Sequence, residues 1–294
     1  MKISNLRKLS SLILISLFIS CTKEAIQENN ELPQSFIDSI NTNGLQLMNP
    51  KEYNELPIID ATEVKSMLNN ELSTRSTRIK LNTPPVWDQG SEGSCVSFAC
   101  GYVGVSYYLK MIKNVPYSTS GAYRSPEFLY NNSKIIGDCN SGSYYINVLN
   151  YLVNYGTCSW SQMPYSASNG CSNRGTQTQK DQAKLGKIKK WSRVSNTVNN
   201  LRDYIYKGYP ILLGMQLDKN FINQTYSYPY TYTIRGGAQI GGHAMVIVGY
   251  DDLKKAFIIQ NSWGKDRHDN GFLYITYSLM PYLNAETYVI DPIK

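Results

Sequence analysis

Histidine is scarce: the 294-residue chain has two, His243 and His268. Two histidines far apart, and six cysteines with no Cys-x-x-Cys spacing, leave metal binding unsupported; no cofactor is expected. Charge is also sparse. Charged residues make up 17% of the chain, the net charge is +7, and no block of five like charges occurs. That distribution reads as ordinary surface charge and argues against a nucleic-acid partner. Repeats and low-complexity blocks are missing too. What is present is an apolar fraction of 42%, enough at this length for one large domain or two medium ones with a real core. Tyrosine is abundant, at 24. Its apolar ring and wettable hydroxyl suit half-buried surfaces and clefts.

The N-terminus reads as a targeting segment. Lys2, Arg7 and Lys8 make a positive start, and the apolar run from Leu9 to Ile19, broken by serines, is too short to span a bilayer. It ends at Ser20-Cys21. A small residue directly before such a cysteine resembles a bacterial lipoprotein signal, which implies lipidation of Cys21; an ordinary cleaved signal with an incidental Cys21 is the alternative. Lipidation implies an exported protein at the cell envelope or surface, attached to a membrane through the anchor alone.

We divide the chain into a signal segment, 1–20, a tether and possible short propeptide, 21–78, and a main domain, 79–294. Within 21–78, short helical patterns cover Phe36 to Ile40 and about Thr62 to Leu72; Asp60 with Glu63 makes a helix start. Ser73 to Arg78 is a small, basic linker with Arg75 and Arg78 as processing candidates. The main domain begins with helical patterns (Cys95 to Met111, Tyr145 to Tyr155, Thr197 to Lys207) and continues with strands (Pro210 to Leu217, Ala244 to Tyr250, Ala256 to Gln260, Gly271 to Tyr277). Helices first and strands later predict an α+β fold with two sub-lobes.

The stretch Gln89-Gly90-Ser91-Glu92-Gly93-Ser94-Cys95 is the most informative. A Gly/Ser loop delivers a cysteine to the start of a helix, where unpaired N–H groups and the helix dipole favour thiolate, the reactive form. A buried structural cysteine is the bland alternative. A nucleophilic cysteine needs a base. His268 lies in a charged, hairpin-like loop and is expected in solvent. His243 opens the apolar run Ala244 to Val248, which would hold it rigidly at the mouth of a buried strand. If that strand pairs with Ala256 to Gln260, Asn261 falls at the same end of the sheet and can orient the imidazole, with Trp263 covering the bond.

Gln-Gly-x-x-Gly-Ser-Cys, then Gly-His-Ala, Asn-Ser-Trp-Gly and Asn270-Gly271-Phe272, in this order, resemble the papain family of cysteine peptidases over roughly residues 79–294. The resemblance implies a two-lobed α+β fold, a helical lobe and an antiparallel β-barrel-like lobe with a cleft between, acting on a polypeptide as an endopeptidase, and a monomer. It implies Cys95 as nucleophile, His243 as base and acid, Asn261 as its orienter, and Gln89 with the Cys95 N–H as oxyanion donors. Gly142 would pair with substrate backbone, its neighbour Ser141 standing where the family has glycine. Ser143, Gly242, Ala244 and Trp263 would line the cleft. An exopeptidase or amidase on the same machinery, or a non-catalytic surface-binding lipoprotein, are the alternatives.

The sequence departs from the family at several points. Glu92 stands where a cysteine usually pairs with the residue matching Cys139, so that bridge cannot form. Cys171 matches a family disulfide position whose usual partner is missing. Cys158 and Cys139 are its possible partners, and Cys158–Cys171 is the expected pairing. Val96 and Gly242 replace a usual aromatic and a frequent Asp.

Overall fold

The computed structural model describes residues 43–68, 76–167 and 170–292. Cys21, the signal segment, the Phe36 to Ile40 pattern and Arg75 lie outside the described residues.

The helical part is organised by one long helix, Cys95–Lys113. Every residue from Cys95 to Tyr108 is buried, and a helix apolar on all sides belongs in a core. Its middle, Phe98–Val105, is π-wound. There Gly101 lies so close to its neighbour that a Cβ would sit 2.8 Å from Leu129 Cδ2. The helix ends at Asn114, in the left-handed region with φ 50°, after Lys110 and Lys113 on its negative end. Against it pack Pro126–Ser133, capped by the Ser125 side chain with proline at its start, and Tyr145–Asn154. The latter buries Tyr145, Val148, Leu149 and Leu152, with Ile146 and Val153 half-buried beside them.

The remainder is one mostly antiparallel sheet. Its strands are β1 (Arg78–Lys80), β2 (Ile188–Arg193), β3 (Ile211–Asp218), β4 (Thr231–Tyr232), β5 (Gln239–Asp251), β6 (Ala256–Gln260), β7 (Phe272–Thr276) and β8 (Ala285–Pro292). They follow the order β2-β8-β3-β5-β6-β7-β4, with β1 on β5. β5 is the axis: it pairs Met245 with Leu213 on one side and Val246 with Gln260 on the other. The hairpin Asp251 to Lys255 joins β5 to β6 as expected. One hydrophobic core runs from the long helix (Phe98, Val103) through Leu149 to Leu213, Met245 and Ile247, so the two lobes share it.

The helix expected over Thr62 to Leu72 does not form in its described part. The capping box at Asp60 and Glu63 is present, yet it starts a single 3-10 turn, Ala61–Glu63. Val64 is already extended. Met67 N–H donates instead to the Lys207 carbonyl at 2.8 Å, and Lys207 Nζ donates to the Val64 carbonyl at 2.8 Å and to that of Ala61. Long-range partners replace the helical ones. Residues 43–68 thus form a strap along the β-lobe, fastened further by Tyr204 hydroxyl to the Ile59 carbonyl and Arg193 to Asn54.

Candidate active site

Cys95 is the first residue of the long helix, and Phe98 N–H donates to the Ser94 carbonyl. The Cys95 sulfur accepts the backbone N–H of Ala244, the residue after His243. The nucleophile loop and β5 therefore meet at this contact. On β5, His243 Nε2 donates to Asn261 Oδ1 at 2.7 Å. Its other nitrogen, Nδ1, is buried without a hydrogen-bond partner. Asn261 follows β6, whose pairing with β5 brings the two side chains to one end of the sheet. Trp263 stacks on the imidazole, ring centroids 4.5 Å apart, and is itself 3% exposed. This lid excludes water from the His243–Asn261 bond.

Gln89 is fully buried and doubly held: Ser262 Oγ donates to its Oε1 at 2.6 Å, and its Nε2 donates to the Glu92 carbonyl at 3.0 Å. A primary amide has a second N–H on that nitrogen. Gln89 N–H also donates to the Ser262 carbonyl, tying the loop before Cys95 to the segment after Asn261.

The cleft is filled by the chain's own strap. Gly44 lies on the Cys95 sulfur: an added Cβ would stand 2.7 Å from Sγ. Ser143 N–H donates to the Gly44 carbonyl at 2.9 Å, Gln46 N–H to the Ser143 carbonyl at 3.0 Å, and Leu45 N–H to the Gly242 carbonyl at 3.1 Å. The Leu45–Ser143 pairing is parallel. Gly142 and Gly242 are needed for this approach, since a Cβ on either would collide with the strap's carbonyl oxygens. Ser141 hydrogen bonds Asp138 and stays at the rim. Leu45 is 2% exposed, its side chain against Gly214 and core-packed with its neighbours. The sequence points to a possible short propeptide within 21–78, but not to which of its residues would meet Cys95; the signal for that is Asn43-Gly44-Leu45, a side-chain-free residue just ahead of an apolar one.

Covering the site keeps it uncharged. Burial pushes the Cys95 thiol up to about 12, partly offset by backbone N–H groups. Burial takes His243 down to about 4, against the opposing effect of Asn261. Both shifts favour the uncharged forms, thiol and neutral imidazole.

Two expectations are corrected. The disulfide joins Cys139 to Cys171, and Cys158 is a free, buried thiol. Cys158 belongs to a satellite core with Phe128, Met163 and Ala183, and nothing in sequence spacing reports that distance. His268 is not a solvent residue. Its Nε2 accepts from Asn261 Nδ2 at 3.0 Å and its Nδ1 donates to the Thr225 carbonyl at 2.8 Å. Glu92, where the bridge to Cys139 was ruled out, is 1% exposed, and both its carboxylate oxygens lack a hydrogen-bond partner. Burial first, then Glu127, pushes its carboxyl up to about 8.

A helix-borne thiol, a β-strand imidazole and an amide under a tryptophan lid, between a helical and a β lobe, define the cysteine-protease class. The sequence profile of the papain family cysteine proteases matches residues 69–291, and the chain belongs to that family. It is similar to an uncharacterized peptidase C1-like protein of Acanthamoeba polyphaga mimivirus, 26% identical over 65% of this chain and 63% of that one. It is also similar to cysteine proteinase 1 of Dictyostelium discoideum, 24% identical over 75% of this chain and 65% of that one. The chain thus spans a little under two thirds of these curated relatives. Among solved structures, xylellain, a cysteine protease from Xylella fastidiosa, superposes with a TM-score of 0.67 at 22% identity, covering 87% of this chain and 98% of that one. The bromelain protease of Ananas comosus, in complex with the E64 inhibitor, gives 0.57 at 19% identity, covering 74% and 100%. These likenesses establish the papain-like two-lobed fold.

Proposed function

We propose that the chain is the precursor of a cysteine endopeptidase, with Cys95, His243, Asn261 and Gln89 as its machinery and residues 43–68 as the segment that blocks it. The observation that carries the reading is the strap's backbone, hydrogen bonded in the cleft directly over the Cys95 sulfur. An extended chain held by main-chain pairing is how a polypeptide substrate would be held too.

With the strap gone, water and open space let Cys95 and His243 charge as thiolate and imidazolium. The thiolate sulfur attacks the scissile carbonyl carbon. The new oxyanion takes the second Gln89 Nε2–H and the Cys95 N–H, donors already fixed before the reaction. His243 gives a proton from Nδ1 to the leaving amine, and the C–N bond breaks to leave a thioester. His243 then takes a proton from water, which adds to the thioester and releases the acid and the thiolate. Asn261 holds the ring throughout. The pocket holding Leu45 suits a medium apolar side chain, and Gly214 gives it room: a Cβ there would stand 2.8 Å from Leu45 Cδ2.

Processing would fall before β1: Arg78 pairs with Asp251, so a cut beyond Thr77 would have to break strand pairing. Within the expected window for the mature N-terminus, Arg75 to Lys80, a start no later than Arg78 keeps that pairing. The sequence from Lys2 to Cys21 supports an exported lipoprotein, tested by labelled-palmitate incorporation that a Cys21→Ala variant abolishes. The function itself is tested with a thiol-directed epoxide on the processed protein. We expect one adduct, on Cys95, and loss of peptide cleavage. A folded, reduced protein that cleaves no peptide and takes no adduct would end this reading.

A further inference from the structure

We infer that His268 is a positioning residue of the active site, a second histidine that sets the direction of the Asn261 amide and makes its setting sensitive to acid. The inference rests on the peptidase reading above.

The hydrogen bonds fix each proton. The Thr225 carbonyl can only accept, so His268 carries its proton on Nδ1. A neutral imidazole has one N–H, so Nε2 is an acceptor, and the group facing it must be Asn261 Nδ2. The amide oxygen is then turned toward His243 Nε2, 2.7 Å away. A second donor agrees with this direction: Ser262 N–H reaches the same oxygen at 2.8 Å. A run of bonds therefore leads from Thr225, on the helix Lys219–Tyr226, through His268 and Asn261 to His243. The Trp263 ring packs against both imidazoles, His268 centroid to centroid at 5.8 Å.

Protonation would reverse the contact. An imidazolium has two N–H groups, and Nε2–H would then face the Asn261 NH2, donor against donor. The amide must turn its oxygen to His268, which takes the acceptor away from both His243 and Ser262. The surroundings oppose that charge until the solution is acid. Burial takes His268 down to about 4, helped by Arg267 beside it. His243, across the amide, is a second positive charge when protonated. The helix contributes the Thr225 carbonyl, with Tyr226 facing outward, and the carboxylates of Asp266 and Asp269 flank the loop in solvent. With Asn261 turned, His243 is free to rotate, and a misplacement on the order of 1 Å can cost about 100-fold in rate.

The experiment compares the parent with His268→Ala and His268→Gln, each as the full chain and after processing. Alanine removes the acceptor. Glutamine puts an amide oxygen near the position of Nε2 and does not titrate. In the processed proteins, we expect kcat to fall about 10- to 100-fold for His268→Ala with KM little changed. His268→Gln should recover most of kcat and lose the parent's steep decline below about pH 5. Nitrogen-15 histidine spectra of the unprocessed full chain, which need no activity, should show His268 protonated on Nδ1 and His243 on Nε2. In His268→Ala the His243 tautomer signal should broaden or shift. If His268→Ala fails to fold, the parent spectra and the His268→Gln pH profile still decide. Parent-like kcat and pH profile in both variants, or a His268 proton on Nε2 at neutral pH, would overturn the inference. A parent that cleaves nothing while its spectra show the expected tautomers would instead count against the peptidase reading.

Discussion

Gly44→Val should awaken the thiol of the uncut chain. Gly44 sits with its would-be Cβ 2.7 Å from Cys95 Sγ and 3.1 Å from the Gly93 carbonyl group, about 1 Å inside normal contact. Forcing extra carbon into a packed site typically costs about 1–3 kcal/mol. The strap can relieve that by leaving the cleft. Leaving gives up three backbone hydrogen bonds, with Gly242 and Ser143, at about 1 kcal/mol net each, and the burial of Leu45, about 1.5–3 kcal/mol. Since those terms are the same in both proteins, the overlap alone shifts the equilibrium, by about 5- to 150-fold at 1.4 kcal/mol per decade. The assay is the rate at which iodoacetamide labels Cys95 in the full-length chain, followed by intact mass and peptide mapping before any processing. Gln46→Ala is the control, because that side chain is exposed and its backbone bond to Ser143 is kept. A Gly44→Val chain that melts like the parent and labels at the parent's rate would refute the idea that Gly44 is the seal on Cys95.

Other outcomes are open to direct measurement. Asn261→Ala, in the processed protein, should lower kcat by about 10- to 1,000-fold, with the His243–Asn261 bond gone; stopped-flow cleavage of a fluorogenic peptide checks it. Non-reducing peptide maps should give Cys139 linked to Cys171, with Cys100 and Cys158 alkylated only after unfolding. Glu92 holds its proton up to about pH 8 when folded, but releases it near its ordinary 4.5 when unfolded. Between those values the folded state binds more protons, so stability falls as pH rises. Glu92→Gln should flatten that decline, read by urea unfolding at pH 5, 6.5 and 8.

Much of this molecule was legible because its local signals agree with its tertiary ones. The buried positions of Tyr145–Asn154 carry a helical periodicity, and the unbroken apolar runs of β5 and β6 read as fully buried strands. Once β5 and β6 are paired through a four-residue turn, His243 and Asn261 have little freedom to be anywhere else. What escaped depends on contacts far apart in the chain. The 62–72 helix had a sound start, and the end of the helix Val198–Tyr206 took over its backbone groups at Met67 and Val64. The Cys158 assignment failed because spacing carries no information on which thiols meet. His268 sits in a run of charged residues that reads as surface, and only the packing of that loop on Thr225 draws its ring inward.

The strap's fastenings at Arg193, Tyr204 and Lys207 are all non-covalent and lie away from Cys95. Cutting the linker near residue 75 would therefore leave the 43–68 peptide seated, now as a separate ligand rather than a tethered one. Its local concentration, millimolar while attached, would then be set by how much protein is in solution. Activation becomes a matter of dilution: a crowded preparation would stay largely silent after cleavage, a sparse one would not, and the free peptide added back would behave as a competitive inhibitor.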